Sequence, residues 1–259
     1  MRVATLLTAF VIALGAALAA AVPAVAAGDK VAVVLLHGGG SSGSQFDDMR
    51  PIVEKAGYRL VTPEMCWGQS RRYDKSAPAC MADVDKSVER LKGEGYERIV
   101  IAGHSQGGIF AIYYAANHTG LAGVIAFAPS GPPVGMDSNN VTVAYAHRLV
   151  REGRGDIVTN FGGGINEIFA TPNDYLTWTS IESPLYDLEL LPKLTAPILW
   201  VAGTQDSGQR NAPERYKYAP ANALNAFLTV EADHFATPDV AVGEMIKWLD
   251  RLSATKPTN

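Results

Sequence analysis

The sequence contains only two cysteines among its 259 residues, Cys66 and Cys80. Neither lies in a C-x-x-C pair or in a metal-ligand spacing, so the sequence predicts no zinc or redox site. The chain also lacks clusters of basic residues, and its formal net charge is -4. A mildly acidic chain without such clusters is not expected to bind nucleic acid. We therefore predict neither a bound metal nor a nucleic-acid partner.

One long apolar run stands apart from the rest of the chain, at the amino terminus. A basic residue precedes an almost wholly apolar stretch over 3–22, and Ala-Val-Ala at 24–26 offers a small-x-small cleavage site. This order is typical of a secretory signal peptide. The run is also long enough for a retained membrane anchor, but its alanine content and the small residues after it favour cleavage. We predict a signal peptide over 1–26, a secreted or periplasmic mature chain over 27–259, and no membrane span after cleavage.

Export would place the two cysteines in an oxidising compartment, where disulfides form. A bridge between Cys66 and Cys80 would close a loop of about 15 residues, which the loop-entropy treatment values at about 3 kcal/mol. The alternative is two unpaired thiols. Because no third cysteine competes, we predict the bridge.

Short apolar runs alternate with amphipathic segments along the mature chain. Unbroken runs rich in β-branched residues are typical of strands that are buried on both faces. Strands that alternate with helices indicate a mostly parallel sheet with helices on both faces. The predicted fold class is therefore α/β, with three layers and a sheet of about six strands. The predicted strands cover 31–36, 58–61, 98–102, 123–128, 197–202 and 226–230.

Residues 130–195 interrupt this alternation with glycine, proline and aromatic residues, and they predict an insertion that covers the sheet like a cap or lid. Aromatic side chains near a site can hold an apolar part of a substrate. We expect Trp67 and Tyr73, between the two cysteines, and Trp178, in the insertion, to contact the substrate. The alternative is that these rings only pack the insertion onto the sheet.

The sequence Gly-His-Ser-Gln-Gly at 103–107 fits the pattern G-x-S-x-G. The pattern alone is weak, and its context gives it weight: a predicted strand enters it and a predicted apolar helix leaves it. Such a tight turn exposes the serine at the end of the strand, and its glycines let the strand and the helix approach each other. Ser105 is therefore the candidate nucleophile.

A serine hydroxyl needs a base within hydrogen-bond reach, and the chain offers five histidines. His37 and His104 lie inside the two turn motifs, where we expect structural roles. His118 ends a predicted helix, and His147 lies in the insertion. His234 follows the last predicted strand and precedes the closing helix. We predict His234 as the base.

The base in turn needs an acid that orients its ring. Asp206 follows the predicted strand 197–202 directly, so it can bond one imidazole nitrogen while the other faces the serine. Asp233 is adjacent to His234, and neighbouring side chains on an extended segment point apart. Asp187 and Asp239 have no strand end to place them. We predict Asp206 as the acid.

The sequence His-Gly-Gly-Gly at 37–40 supplies the remaining part of an acyl-transfer site. Acyl transfer builds negative charge on a carbonyl oxygen, and backbone N–H groups aimed at that oxygen lower the barrier. One donor is expected from Gln106, directly after the nucleophile. The second is expected from Gly39, with Gly40 as the alternative.

These motifs together resemble the α/β-hydrolase-fold serine hydrolases of the esterase and lipase group. The glycine loop, Gly-His-Ser-Gln-Gly, Gly-Thr-Gln-Asp at 203–206 and Asp-His-Phe at 233–235 follow in that family's order. The resemblance covers the mature chain except the insertion. The family commonly has eight strands, and this chain lacks room for the first two, which marks a shortened form. Relatives that are dehalogenases or epoxide hydrolases carry Asp at the position of Ser105, which argues against those activities.

The resemblance implies hydrolysis of a small-molecule or lipid-like carboxylic ester through an acyl-enzyme on Ser105. Amide or thioester hydrolysis would use the same groups, and a non-catalytic binding protein of this fold is a further alternative. Gly38, Gly40 and Gly43 also fit the dinucleotide-binding pattern G-x-G-x-x-G, with Glu64 about 20 residues on. The polar stretch after these glycines does not favour a packed helix, and export would remove the chain from nicotinamide cofactors. We therefore predict no cofactor.

Overall fold

The computed structural model describes residues 30–131, 140–162, 168–180 and 183–255. Its centre is a sheet of six parallel strands, which lie in the order β2 (Arg59–Val61), β1 (Val31–Leu36), β3 (Arg98–His104), β4 (Gly123–Phe127), β7 (Ile198–Gly203) and β8 (Ala226–Val230). The six predicted strands are all present, within about two residues of the expected bounds.

Helices cover both faces of this sheet, as the alternating pattern predicts. A 3-10 turn over Gly43–Phe46 precedes the first of these helices, and the closing helix follows the loop of His234. The helices are α1 (Met49–Lys55), α2 (Ala77–Gly93), α3 (Gln106–Asn117), α4 (Val141–Arg151), α5 (Pro172–Thr179), α6 (Asp187–Leu190), α7 (Ala212–Tyr216) and α8 (Thr237–Ala254).

The apolar residues of β1 show why both faces need cover. Successive side chains of a strand point to opposite faces. Val33 and Leu35 pack in one core cluster with residues of α1 and α8, whereas Val34 and Leu36 pack in the other with residues of α2 and α3. The whole strand is buried. An unbroken apolar run is therefore what this central position requires.

The segment between β4 and β7 forms a small cluster of its own. It contains α4, α5, α6 and the two-stranded ribbon of β5 (Thr159–Asn160) and β6 (Phe169–Ala170). Phe161 stacks on Tyr175 with ring centroids 4.1 Å apart, and Leu149 of α4 packs beside them. The predicted insertion over 130–195 thus contains secondary structure of its own. Its role as a lid stays a prediction.

The predicted disulfide joins Cys66, in the loop after β2, to Cys80 of α2, with the Cα atoms 6.0 Å apart. Both residues are fully buried in the core cluster that α2 and α3 share with the sheet. The bridge therefore fixes the long loop between β2 and α2 to the sheet. Within the described ranges, no helix has the length and apolarity that crossing a membrane requires.

Removing this bridge is expected to destabilise the protein by about 3 kcal/mol, because the unfolded chain regains the loop entropy that the bridge removes. For a chain of this length that corresponds to a fall in Tm of roughly 6–12 °C. Thermal unfolding with and without a thiol reductant measures the change. A double variant with Cys66→Ser and Cys80→Ser is the control, since reductant has no bond to break in it. An unchanged wild-type Tm in reductant would contradict the expectation.

Candidate active site

The strand β3 passes directly into α3 through a sharp turn at Ser105. This residue has φ 55° and ψ -117°, a backbone conformation that residues other than glycine rarely adopt. A Cβ on Gly103 would lie 2.1 Å from the carbonyl oxygen of Gly107, and one on Gly107 would lie 2.2 Å from the last carbonyl oxygen of β1. Any other residue at either position would therefore clash with backbone. The two glycines allow the turn that presents Ser105 at the carboxyl end of β3.

Three predicted site residues meet at this edge of the sheet. Ser105 follows β3, Asp206 follows β7, and His234 follows β8. The His234 Nε2 atom lies 2.9 Å from Ser105 Oγ, and the His234 Nδ1 atom lies 2.6 Å from Asp206 Oδ2. In parallel sheets the carboxyl ends of the strands share one edge, which brings residues far apart in sequence together.

The acid fixes the orientation and tautomer of His234. A carboxylate only accepts hydrogen bonds, so His234 Nδ1–H donates to Asp206, and Nε2 is left with a lone pair toward Ser105 Oγ. The other carboxylate oxygen, Oδ1, accepts the backbone N–H of Gly208 at 2.9 Å. The Asp206 side chain is therefore held at both oxygens. This arrangement can transfer the serine proton to the imidazole.

A second histidine, His104, links the glycine loop to the loop of His234. The backbone N–H of Gly38 donates to Gln45 Oε1 at 2.8 Å, so the Gln45 amide N–H₂ faces His104 Nδ1 at 2.7 Å. His104 Nδ1 must accept this bond, and its Nε2–H donates to the backbone carbonyl of His234 at 2.8 Å. Burial lowers the pKa of His104 to about 4, which keeps the ring neutral.

This shift makes the stability of the protein pH-dependent. The unfolded chain binds a proton at His104 near pH 6.5, whereas the folded protein does so only near pH 4. The free energy of unfolding therefore falls as pH drops through that interval, by about 3 kcal/mol in total. Urea unfolding at pH 7 and pH 4.5 measures it. His104→Gln retains an acceptor and a donor but cannot be protonated. The free energy of unfolding of this variant should therefore fall less between pH 7 and pH 4.5 than that of the wild type. An equal decline in both proteins would contradict this assignment.

His37 holds the start of the glycine loop. Its Nε2 accepts the backbone N–H of Met65 at 3.0 Å, and its Nδ1–H donates to the carbonyl of Gly38 at 2.8 Å. Burial lowers the pKa of His37, so this ring is also neutral. Its own carbonyl accepts the indole N–H of Trp67 at 3.0 Å. Both motif histidines therefore support the backbone, as the sequence predicts for them.

The hydrogen bonds distinguish the two candidate donors in the glycine loop. The N–H of Gly40 donates to the carbonyl of Trp67 at 3.2 Å. Neither Gly39 N–H nor Gln106 N–H has a partner among the residues that the structure describes, and Gln106 begins α3, where backbone N–H groups are unpaired. Gly39 and Gln106 are adjacent: a Cβ on Gly39 would lie 3.7 Å from Gln106 Cβ. These two groups can bind a developing oxyanion.

The three predicted substrate contacts differ in exposure. Trp67 is fully buried and packs against Phe110, and Trp178 is buried beside them. Both rings pack the loop and the insertion onto α3, as in the alternative interpretation. Tyr73 is only partly buried, and its hydroxyl faces Gly39. Phe235, which the sequence indicated only as part of the Asp-His-Phe motif, has a side chain that is 79 % exposed and lies against the His234 ring.

No cluster of metal-ligating side chains occurs within the described residues. Glu64, which the dinucleotide pattern would assign to a ribose, instead accepts the backbone N–H of Gly43 at 3.3 Å and the hydroxyl of Ser70 at 2.8 Å. Its carboxylate therefore links the turn at Gly43 to the loop between Cys66 and Cys80. Gln45 was missed in the sequence because a lone polar residue after a glycine loop carries no motif.

Known proteins share this architecture. A structure of the metagenome-derived lipolytic enzymes LipS and LipT superposes with a TM-score of 0.64 at 17 % identity, covering 86 % of this chain and 95 % of that one. An esterase from Thermogutta terrifontis superposes with a TM-score of 0.62 at 19 % identity, covering 88 % of this chain and 92 % of the esterase. A monoacylglycerol lipase from Paleococcus ferrophilus superposes with a TM-score of 0.62 at 18 % identity, covering 86 % of this chain and 94 % of the lipase. At such low identity these likenesses show the fold alone.

No curated protein matches the chain significantly in sequence. The sequence profile described as the alpha/beta hydrolase family matches residues 33–244, which is most of the chain. The match spans the glycine loop, the serine turn, and the loops that carry Asp206 and His234. The chain belongs to the alpha/beta hydrolase family.

Proposed function

We propose that the protein is a serine hydrolase that cleaves carboxylic esters of small-molecule or lipid-like substrates. The observation that carries the proposal is the hydrogen-bonded line from Asp206 through His234 to Ser105. A nucleophile with a base in reach, and a base with an orienting acid, is the arrangement that acyl transfer requires. The N–H groups of Gly39 and Gln106, which have no partner among the described residues, can bind the carbonyl oxygen as it becomes negative.

In the first half-reaction, Ser105 Oγ attacks the ester carbonyl carbon while its proton passes to His234 Nε2. Asp206 stabilises the imidazolium that results, and the N–H groups of Gly39 and Gln106 stabilise the oxyanion. His234 then gives the proton to the departing alkoxide as the carbon–oxygen bond breaks. An acyl-enzyme on Ser105 and a free alcohol remain.

In the second half-reaction, water replaces the alcohol. His234 Nε2 takes a proton from the water as its oxygen attacks the acyl carbon, and the oxyanion forms at the same N–H groups. The tetrahedral intermediate collapses, the bond to Ser105 Oγ breaks, and His234 returns the proton to the serine. A carboxylic acid leaves, and the enzyme is restored.

A panel of p-nitrophenyl esters with acyl chains of about two to sixteen carbons tests the proposal, since burial of each further methylene adds up to about 0.8 kcal/mol until the pocket is full. Serine-dependent turnover supports ester hydrolysis, and the optimum chain length gives the size of the acyl pocket. Turnover of anilides or thioesters alone would instead favour the amidase or thioesterase alternative. No turnover and no labelling by a fluorophosphonate probe would contradict the proposal and favour a binding protein.

We also propose that the chain is exported, with residues 1–26 removed as a signal peptide. These residues lie outside the described part of the structure. The support is the order of basic residue, apolar run and small residues, together with the disulfide between Cys66 and Cys80, which oxidising compartments favour. Amino-terminal sequencing of the protein from its natural source tests the cleavage. An intact residue 1 in the exported protein would contradict it.

A further inference from the structure

The loop between Cys66 and Cys80 contains two consecutive residues in a left-handed backbone conformation, which glycine adopts more readily than other residues. Arg72 has φ 54° and Tyr73 has φ 67°. Such a conformation is strained in a residue with a side chain and persists only where its surroundings hold it. Here the Tyr73 N–H donates to the carbonyl of Cys66 at 2.7 Å, and the Arg72 N–H donates to the carbonyl of Gly68 at 2.7 Å. The backbone is therefore fixed in a strained turn that sets the direction of the Tyr73 side chain.

That side chain reaches the glycine loop. Its ring packs edge-on against Trp178, with centroids 5.5 Å apart. A Cβ on Gly39 would lie 3.4 Å from Tyr73 Oη and 3.7 Å from Gln106 Cβ. The Tyr73 hydroxyl therefore lies beside Gly39 and close to Gln106, the two residues whose backbone N–H groups have no partner among the described residues.

The polar groups around Gly39 include donors that lack acceptors. Tyr73 Oη has no hydrogen-bond partner among the described residues, and Gln106 Nε2 is buried without one. Donors that have no partner within a protein indicate an acceptor that comes from outside it, and the Tyr73 hydroxyl joins the backbone N–H groups of Gly39 and Gln106 as a third such donor. Burial raises the pKa of Tyr73 to about 12, so the phenol retains its proton in neutral solution. An oxygen atom that gains negative charge is the acceptor that suits such a set.

We propose that Tyr73 is a further catalytic residue, whose hydroxyl donates a third hydrogen bond to the substrate carbonyl oxygen as it becomes negative. The proposal rests on the ester hydrolysis proposed above. It assigns Tyr73 a role beyond apolar contact: the phenol transfers no proton and stabilises charge beside the N–H groups of Gly39 and Gln106. It also gives the strained turn at Arg72 and Tyr73 and the nearby disulfide a common purpose, which is to hold the hydroxyl in place.

Tyr73→Phe tests the proposal because it keeps the ring against Trp178 and removes only the hydroxyl. We expect kcat for p-nitrophenyl esters to fall by about 10²–10³, as for other single oxyanion donors, while KM changes by less than about threefold. Tyr113→Phe is the matched control, since Tyr113 is also buried and its hydroxyl has no described partner, but it packs on Phe110 in α3. That variant should retain wild-type kcat.

A second substitution keeps the test decisive if Tyr73→Phe folds poorly. Site-specific incorporation of a difluorotyrosine at position 73 retains the shape and the hydroxyl but makes the phenol more acidic. An ionised phenol cannot donate, so kcat should be lost at a lower alkaline pH than in the wild type. A purely structural tyrosine would not shift the pH profile.

Three results separate the possible failures. Unchanged kcat in Tyr73→Phe and an unchanged alkaline limb in the fluorinated protein would overturn the role of Tyr73 while leaving ester hydrolysis intact. A rise in KM alone would also overturn it, because the hydroxyl would then contact the ground-state substrate equally. A wild type that neither turns over esters nor reacts with a fluorophosphonate probe would instead refute the proposed function itself, and Tyr73's role with it.

Discussion

Ser105→Ala is expected to lower kcat for ester substrates by about 10⁶, the scale seen when the nucleophile of a serine triad is removed. The alanine variant has no oxygen within reach of His234 Nε2, which lies 2.9 Å from Oγ in the wild type. Acyl transfer then has no nucleophile on the enzyme. Initial rates with a p-nitrophenyl ester, measured beside the wild type, give the ratio.

The fold should survive this substitution, because His234 is the only hydrogen-bond partner of Ser105 Oγ among the described residues and the strained turn is set by the backbone. Ser130→Ala is the matched control, since its backbone N–H bonds to the carbonyl of Ser105 at 3.0 Å while its side chain is exposed. We expect the control to keep most of the activity. Retained esterase activity in Ser105→Ala would contradict the assignment of the nucleophile.

Asp206→Asn is expected to lower kcat by about 10⁴, although the substitution hardly changes the shape of the side chain. The amide oxygen can still accept the N–H of Gly208, as Oδ1 does now. The amide N–H₂ would then face His234 Nδ1 and donate to it. His234 would carry its proton on Nε2 and could no longer accept the proton of Ser105.

Asp233→Asn is the matched control for this prediction. The Asp233 carboxylate accepts the N–H groups of Phe235 and Ala236 at 3.0 and 2.8 Å, and an asparagine oxygen can accept both bonds. The side chain thus begins the turn into α8 rather than orienting the imidazole. Steady-state values of kcat for an ester substrate, measured for both variants at neutral pH, decide between the two acids. A larger loss in Asp233→Asn than in Asp206→Asn would assign the acid to Asp233.

The sheet was predictable because each of its strands corresponds to a short apolar run in the sequence. Val31–Leu36 and Ile198–Gly203 are buried on both faces, so almost all of their residues had to be apolar. Because the strands are parallel, their carboxyl ends lie on the same side of the sheet, and residues directly after strands were therefore good candidates for the site. Ser105, Asp206 and His234 all lie there within hydrogen-bond distance of a partner.

Other features depend on contacts that the sequence does not encode locally. Gly39 and Gly40 are equivalent in the motif, and only the carbonyl of Trp67, which accepts the Gly40 N–H, distinguishes them. The full burial of Trp67 similarly follows from the packing of a loop against α3. The bond between Gln45 and His104 joins residues 59 positions apart, and no spacing rule predicts it.

The central claim, that Ser105 becomes acylated, is tested most directly by peptide mapping after reaction with a fluorophosphonate probe. An activated serine displaces fluoride from this reagent, and the stable phosphonyl adduct that forms resembles the tetrahedral intermediate. We expect one adduct per chain, on Ser105, and none in Asp206→Asn at short reaction times, because His234 there carries its proton on Nε2 and cannot accept the proton of the serine. An adduct on another residue, or an unmodified Ser105 in the folded wild type, would contradict the account.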